Sequence, residues 1–208
     1  MVEFIEIQDV ETPYFKSGIK LYKDSFPENQ RIPADIVYQR TKNQVNQFWV
    51  GVSQEQVVFM AILHPVLNTD FILLAYIATV SDMRSQGIGA RFLKHILNQI
   101  KPNKYFLLEV ESPHIGNERE LKTKRINFYK NLGAKELKNV RYILPPLVGR
   151  TPTEMQLMLM PTYSETQLRG DSIKEIVIKI YQEVYCRNKD DLFLNSFIDE
   201  IPAMIALC

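Results

Sequence analysis

The sequence predicts an α/β protein in which strands and helices alternate as far as residue 162, followed by a helical segment. Three observations predict it. An almost unbroken apolar run, Phe71 to Val80, ends at the polar turn Ser81 to Gln86. From Gly87 it gives way to Ile88, Phe92, Leu93, Ile96, Leu97 and Ile100 at helical spacing, the order strand, turn, helix. Short β-rich runs recur at Gln47–Ser53, Gln56–Leu63, Tyr105–Glu111 and Glu154–Met160. Past Thr162, Ile173, Ile176, Val177, Ile180, Tyr181, Val184 and Tyr185 trace a single helical stripe.

In chain order, Val2, Phe4, Ile5 and Ile7 interleaved with Glu3 and Glu6 predict a first strand with one wet face. Pro13 suits a first helical turn, and Phe15, Ile19, Tyr22 and Phe26 line one side until Pro27 stops the pattern. A loop carrying Phe26, Glu28 and Arg31 then leads to a second helix, Ala34 to Lys42. Gln47–Ser53 and Gln56–Leu63 form a hairpin that His64-Pro65 ends, with Trp49 in the core. After the central strand and helix, Lys101-Pro102-Asn103 makes a turn into the strand Tyr105–Glu111. There Phe106, Leu108 and Val110 alternate with Leu107, Glu109 and Glu111, so the two carboxylates share one face near the strand's C-terminal end. Asn117 with Glu120 reads as a capping box for a helix running to Leu132, with Leu121, Phe128, Tyr129 and Leu132 inward and Gly133 as its cap. Lys135–Leu144 is a further strand ended by Pro145-Pro146, and Glu154–Met160 closes the sheet. Ser172 with Glu175 reads as a second capping box, and a last short helix covers Leu192 to Ile198.

Composition narrows the function classes. A chain of 208 residues buries roughly 70% of its unfolded surface and needs no staples. A formal net charge of +1 provides no global field for nucleic acid or an anionic membrane. Two cysteines, Cys186 and Cys208, make neither a disulfide framework nor a zinc site, so a reducing cytoplasm is the expected compartment. No secretory leader is expected in MVEFIEIQDVET, and the ten apolar residues from Phe71 to Val80 are too few to span a bilayer. His64, His95 and His114 lack metal-site spacing and read as surface or loop residues, so no metal is expected.

Two glycines separated by one residue let a backbone approach a ligand closely, and the open N–H groups of the following helix favour an anion. A P-loop would need Gly-Lys-Ser/Thr after the glycines, and a dinucleotide fingerprint would need a small residue where Phe92 stands. Arg84-Ser85-Gln86-Gly87-Ile88-Gly89 instead resembles the Arg/Gln-x-x-Gly-x-Gly/Ala signature of the GCN5-related N-acetyltransferase (GNAT) family. The segment Arg125–Lys135, RINFYKNLGAK, resembles that family's second motif, with Lys122 and Arg125 where members often carry Asn and Ala.

The resemblance covers about residues 1 to 162. It implies the acyl-CoA N-acyltransferase fold: a mixed, mostly antiparallel sheet with a splayed parallel central pair, here followed by a helical C-terminal extension over 163–208. That extension is expected to pack on the domain or on a partner subunit, and a homodimer is an open option. By the same resemblance, Arg84, Ser85, Gln86, Gly87, Ile88, Gly89 and Ala90 would hold the pyrophosphate of acetyl-CoA. The backbone of Ile77, Ala78, Thr79 and Val80 would pair with its pantetheine arm, the Val80 N–H facing the thioester carbonyl. The loop with Phe26, Glu28 and Arg31 would border the acceptor pocket, with packing and surface charge as the alternative.

Acetyl transfer to an amine needs an unprotonated nitrogen, a polarised carbonyl and a proton for the departing thiolate. Glu109 or Glu111 is the candidate base, against the alternative of an exposed strand end. Tyr129 is the candidate general acid, against an ordinary core tyrosine. The expected function is an acetyl-CoA-dependent N-acetyltransferase attacking directly from a small-molecule or peptide primary amine. The alternative is a non-catalytic acyl-CoA-binding regulatory module.

Overall fold

The computed structural model describes residues 1–100, 103–161 and 165–208. Two residues of the expected Lys101-Pro102-Asn103 turn, and the expected boundary at 162/163, lie outside them. The chain forms two compact units, Met1–Pro65 with Leu74–Pro102, and Val66–Leu73 with Asn103–Cys208.

The first unit contains β1 (Glu3–Glu6), α1 (Pro13–Ser25), α2 (Ala34–Lys42), β2 (Gln47–Ser53), β3 (Gln56–Pro65), most of β4 (Phe71–Thr79) and α3 (Ile88–Gln99). Its strands lie in the order β1-β2-β3-β4, with β1–β2 and β2–β3 antiparallel. The Thr12 hydroxyl caps α1 by accepting the Phe15 N–H at 3.3 Å, and Pro13 follows at the first helical position, where it needs no donor. Helix α3 turns Ile88, Phe92, Leu93 and Ile96 inward, and Phe92 packs against Phe4, Phe59 and Trp49 at centroid distances of 5.4, 4.8 and 5.9 Å. Trp49 is core, as its size suggests. His64 corrects the surface reading: β3 runs on through it, it is 2% exposed, and its Nδ1 lies 2.8 Å from Asn46 Oδ1.

The second unit contains β5 (Tyr105–Glu111), α4 (Arg119–Lys130), β6 (Lys135–Glu136), β7 (Tyr142–Leu144), β8 (Thr153–Met160), β9 (Gln167–Arg169), α5 (Gly170–Glu183), α6 (Leu192–Asn195) and β10 (Met204–Ala206). The start of β4 meets the start of β5 here as the parallel pair of a mostly antiparallel sheet: Tyr105 N–H donates to Asp70 O at 2.8 Å, and Phe71 stacks on Tyr105. Beyond β5 the order is β8 and then β6, with β7 also on β8, so β8 lies inside the sheet rather than closing it.

Four local readings change. The strand expected over Lys135–Leu144 breaks into β6 and β7, because left-handed Asn139 (φ 59°) turns the chain, while Glu136 and Lys138 donate to Cys208 and Ala206 on the side of β6 away from β8. Neither capping box forms: left-handed Glu118 caps α4, and α5 begins before Ser172, at Gly170, where neither cap residue gives a side-chain hydrogen bond. On α4 the buried residue is Ile126, and Leu121 is 44% exposed. The last expected helix is only the short α6 followed by a 3₁₀ turn, Ile198–Glu200. At the end of α4, Ala134 N–H returns to Tyr129 O at 3.0 Å around Gly133 (φ 89°), a Schellman-type turn that fixes the helix end carrying Tyr129.

The C-terminal segment is bound into this second unit. The Tyr181 hydroxyl donates to Ile143 O, Lys179 Nζ to Leu67 O at 2.9 Å, and Arg187 to Pro146 O at 2.6 Å. Gly170 lets α5 start against backbone, since a Cβ there would stand 1.8 Å from Pro202 O. Antiparallel β9–β10 completes the contact, and Glu136 and Cys208 exchange N–H···O bonds of 2.7 and 3.1 Å along the β6 edge.

Candidate active site

In the first unit, β4 leads through a 3₁₀ turn, Ser81–Met83, into Arg84–Gly87 and the start of α3. Ser85 (φ 61°) and Gly87 (φ 72°) both take left-handed backbone, a bend that in such turns gathers successive N–H groups into an anion-binding concavity. A Cβ at Gly87 would meet nothing within 4 Å, so glycine is required there for its backbone angle and the space above the turn is open. Gly87 caps α3 without a side-chain hydrogen bond, so among the described residues the helix's first turn starts uncapped at the positive end of its dipole. The loop is pinned from its own sides: Arg84 Nε donates to Thr79 O and Gln86 Nε2 to Asp82 O, each at 3.2 Å. Such a turn presents donors to a phosphate without needing a charged side chain.

Ile77 to Val80 are half-buried along the same strand end. The Val80 N–H, expected to face a thioester carbonyl, donates to Val58 O of β3 at 3.0 Å, so that role would require this bond to open. The loop before α2 is tied to β4. Ile32 N–H donates to the Tyr76 hydroxyl at 3.0 Å, and the Tyr22 hydroxyl donates to Ile32 O at 2.9 Å. Phe26 packs on Tyr76, Arg31 donates to Phe26 O at 2.6 Å, and Glu28 begins a 3₁₀ turn with its side chain in solvent.

In the second unit, β5 places Glu109 and Glu111 on one face, but their surroundings differ. Both Glu109 oxygens accept hydroxyl donors, Oε1 from Tyr142 of β7 and Oε2 from Tyr185 just past α5. Burial raises this carboxyl above the ordinary carboxylate range, and the two donors oppose the rise only in part. Glu111 instead meets Arg125 of α4 at 2.6 Å. Arg125 stands one turn before Tyr129 on the same helix. Burial pushes the Tyr129 phenol up to about 12, against the opposing pull of the Arg125 charge. Arg125 thus acts on two candidate catalytic residues, Glu111 and Tyr129.

The cofactor turn and the three catalytic candidates fall in different units. A cavity of about 400 Å³ in the second unit, lined in part by Ser112, His114, Arg141 and Gln156, includes none of them. Tyr142 and Tyr185 escape sequence reasoning, because they reach Glu109 across 33 and 76 positions and carry no local pattern. Their one sequence signal is the Tyr181–Tyr185 spacing on the stripe that runs from Ile173. Among the described residues, no group of three His, Cys, Asp or Glu is arranged for a metal, and no helix is long and apolar enough to cross a membrane.

Comparison with known proteins follows the same lines. Residues 44–133 match the acetyltransferase (GNAT) domain family. A protein from Bacteroides thetaiotaomicron described as a GNAT-family acetyltransferase superposes with a TM-score of 0.72 at 21% identity, over 89% of this chain and 99% of its own. That span must extend beyond residue 162. An aminoglycoside 6′-N-acetyltransferase complexed with coenzyme A matches at a TM-score of 0.56 and 16% identity, over 76% of this chain and 95% of its own. A GNAT-family acetyltransferase from Elizabethkingia anophelis with acetyl-CoA bound matches at 0.52 and 15%, over 76% and 97%. No curated protein matches by sequence. The resemblance to the GCN5-related N-acetyltransferases, first carried by Arg84–Ala90, is thus shared by a domain-family match over residues 44–133 and by the fold of the chain.

Proposed function

We propose that this chain is an acetyl-CoA-dependent N-acetyltransferase that moves an acetyl group onto a primary amine by direct attack. The observation that carries the reading is the turn Arg84–Ala90, with left-handed Gly87 and an uncapped helix start inside the matched GNAT segment. We assign Arg84 to Ala90 to the pyrophosphate and Ile77 to Val80 to the pantetheine arm.

Glu109 is the residue we assign as base, acting directly or through a water. Its carboxyl is raised by burial, which makes it a better proton acceptor than an ordinary carboxylate, whereas Glu111 is committed to Arg125. As the amine nitrogen forms the new C–N bond, its proton passes to Glu109 and the C–S bond breaks. Tyr129 donates a hydrogen bond to the departing sulfur. The thiolate takes its final proton from solvent and Glu109 later releases its own there, leaving an amide and a free thiol.

Free-thiol release from acetyl-CoA, measured against polyamines, amino acids, aminoglycosides, arylalkylamines and peptide N-termini, tests the reading. At least one class should release thiol faster than the acceptor-free background. Acetyl-CoA should also raise the melting temperature of the wild type and not that of Gly89→Glu, which sets bulk and negative charge at the turn. Binding without release across the whole panel points to the non-catalytic acyl-CoA module instead, and equal thermal shifts in both proteins overturn the site.

A further inference from the structure

We infer that Tyr185, carried by the C-terminal segment, is a positioning residue for Glu109, so that this segment completes the acetyl-transfer site. The inference rests on the reading above, in which Glu109 is the base. Its own observation is geometric. Two hydroxyls from separate elements close on one carboxylate, Tyr142 on Oε1 and Tyr185 on Oε2.

The neighbouring tyrosine shows the difference between positioning and packing. Tyr181 and Tyr185 stand one turn apart with ring centroids at 6.1 Å, and both reach towards the sheet. Tyr181 ends on a backbone carbonyl, Ile143 O, a contact that any docking helix could use. Tyr185 ends on a side chain that the strand alone would leave free to rotate. With one donor on each oxygen, the carboxylate plane is fixed and a lone pair on each oxygen stays available.

The groups facing Glu109 are Tyr142 from β7 and Tyr181 and Tyr185 from the C-terminal segment. Leu157 stands opposite on β8, and the next carboxylate on the same face, Glu111, is neutralised by Arg125. A hydroxyl donated to a carboxylate favours the charged form, so removing it makes the carboxylate easier to protonate. Catalysis by a deprotonated Glu109 then needs a higher pH.

The test uses full-length Tyr185→Phe, which keeps the ring and deletes the hydroxyl, with Tyr181→Phe as the control. The ¹³C shift of the Glu109 carboxyl, assigned by its disappearance in Glu109→Gln, is followed through a pH titration, alongside the pH dependence of kcat/KM. In Tyr185→Phe the carboxyl midpoint and the acid limb of kcat/KM should move up together by about one pH unit, the size expected for a hydrogen bond to a charged group. Tyr181→Phe should lower the melting temperature and move neither. An unmoved midpoint in Tyr185→Phe overturns the inference without touching the base assignment. If Glu109→Gln keeps the wild-type rate and profile, Glu109 is not the base. The positioning role then falls with it, while thiol release still stands for acetyl transfer itself.

Discussion

A phenol held at about 12 keeps its proton at neutral pH, and that same firmness limits what Tyr129 gives away. A departing thiolate has a reference pKa of about 8.5, so complete transfer from Tyr129 would run uphill by roughly 3.5 units, about 5 kcal/mol. The contribution is therefore a hydrogen bond that strengthens as charge gathers on sulfur, at the low end of what a positioned acid supplies. Tyr129→Phe should bind acetyl-CoA like the wild type and turn over about tenfold more slowly, a barrier change of about 1.4 kcal/mol. Its rate–pH profile should keep the wild-type shape below about pH 10, because the phenol titrates beyond that range. Full turnover where chemistry limits the rate would make Tyr129 a structural residue.

Among the elements, α5 shows how much the sequence reveals and where it stops. Its stripe from Ile173 to Tyr185 is legible because a buried helix face repeats every three or four residues. Its start is not: Ser172 and Glu175 have the capping-box pattern, yet the helix begins at Gly170, where the backbone at Pro202 comes too close for any side chain. Gly170→Ala should destabilise the protein by about 1–3 kcal/mol, the usual cost of forcing atoms into a packed site. Urea unfolding would measure it, and an unchanged midpoint would show that the Pro202 backbone yields freely. The same contrast runs through the catalytic candidates. The shared face of Glu109 and Glu111 follows from strand alternation, and the Arg84–Ala90 turn from its glycines. The Tyr142, Tyr185 and Arg125 partners depend on tertiary approach, which leaves no local periodicity to read. β9 and β10, three residues each, are too short to show alternation.

Across the whole molecule, tyrosines drawn partly or wholly out of water set the alkaline limit. Tyr22 in the first unit and Tyr129, Tyr142 and Tyr181 in the second are all raised above the ordinary phenol value of 10.0, each chiefly by burial. The unfolded chain gives up these protons near pH 10 while the folded chain retains them. The stability they contribute is thus complete below pH 10 and is lost as pH climbs towards the folded values, at about 1.4 kcal/mol per pH unit for each tyrosine. Glu109 has the same sign at acid pH: its contribution is full below 4.5 and lost as pH rises through its raised folded value. Denaturant midpoints at pH 8, 9 and 11 should be level across the first two and fall sharply at the third. A level midpoint at pH 11 would mean that these phenols are exposed to water.

The bonds between Glu136 and Cys208 also set an order in time. The edge of β6 is covered by residues that follow it in the sequence by 72 positions. A ribosome adding roughly 5–20 residues per second needs several seconds to make that stretch, so the nascent chain carries an open sheet edge throughout. An open edge is a template for pairing with a neighbouring chain. During synthesis, β6 therefore stays open to wrong pairing until residues 206–208 have been made.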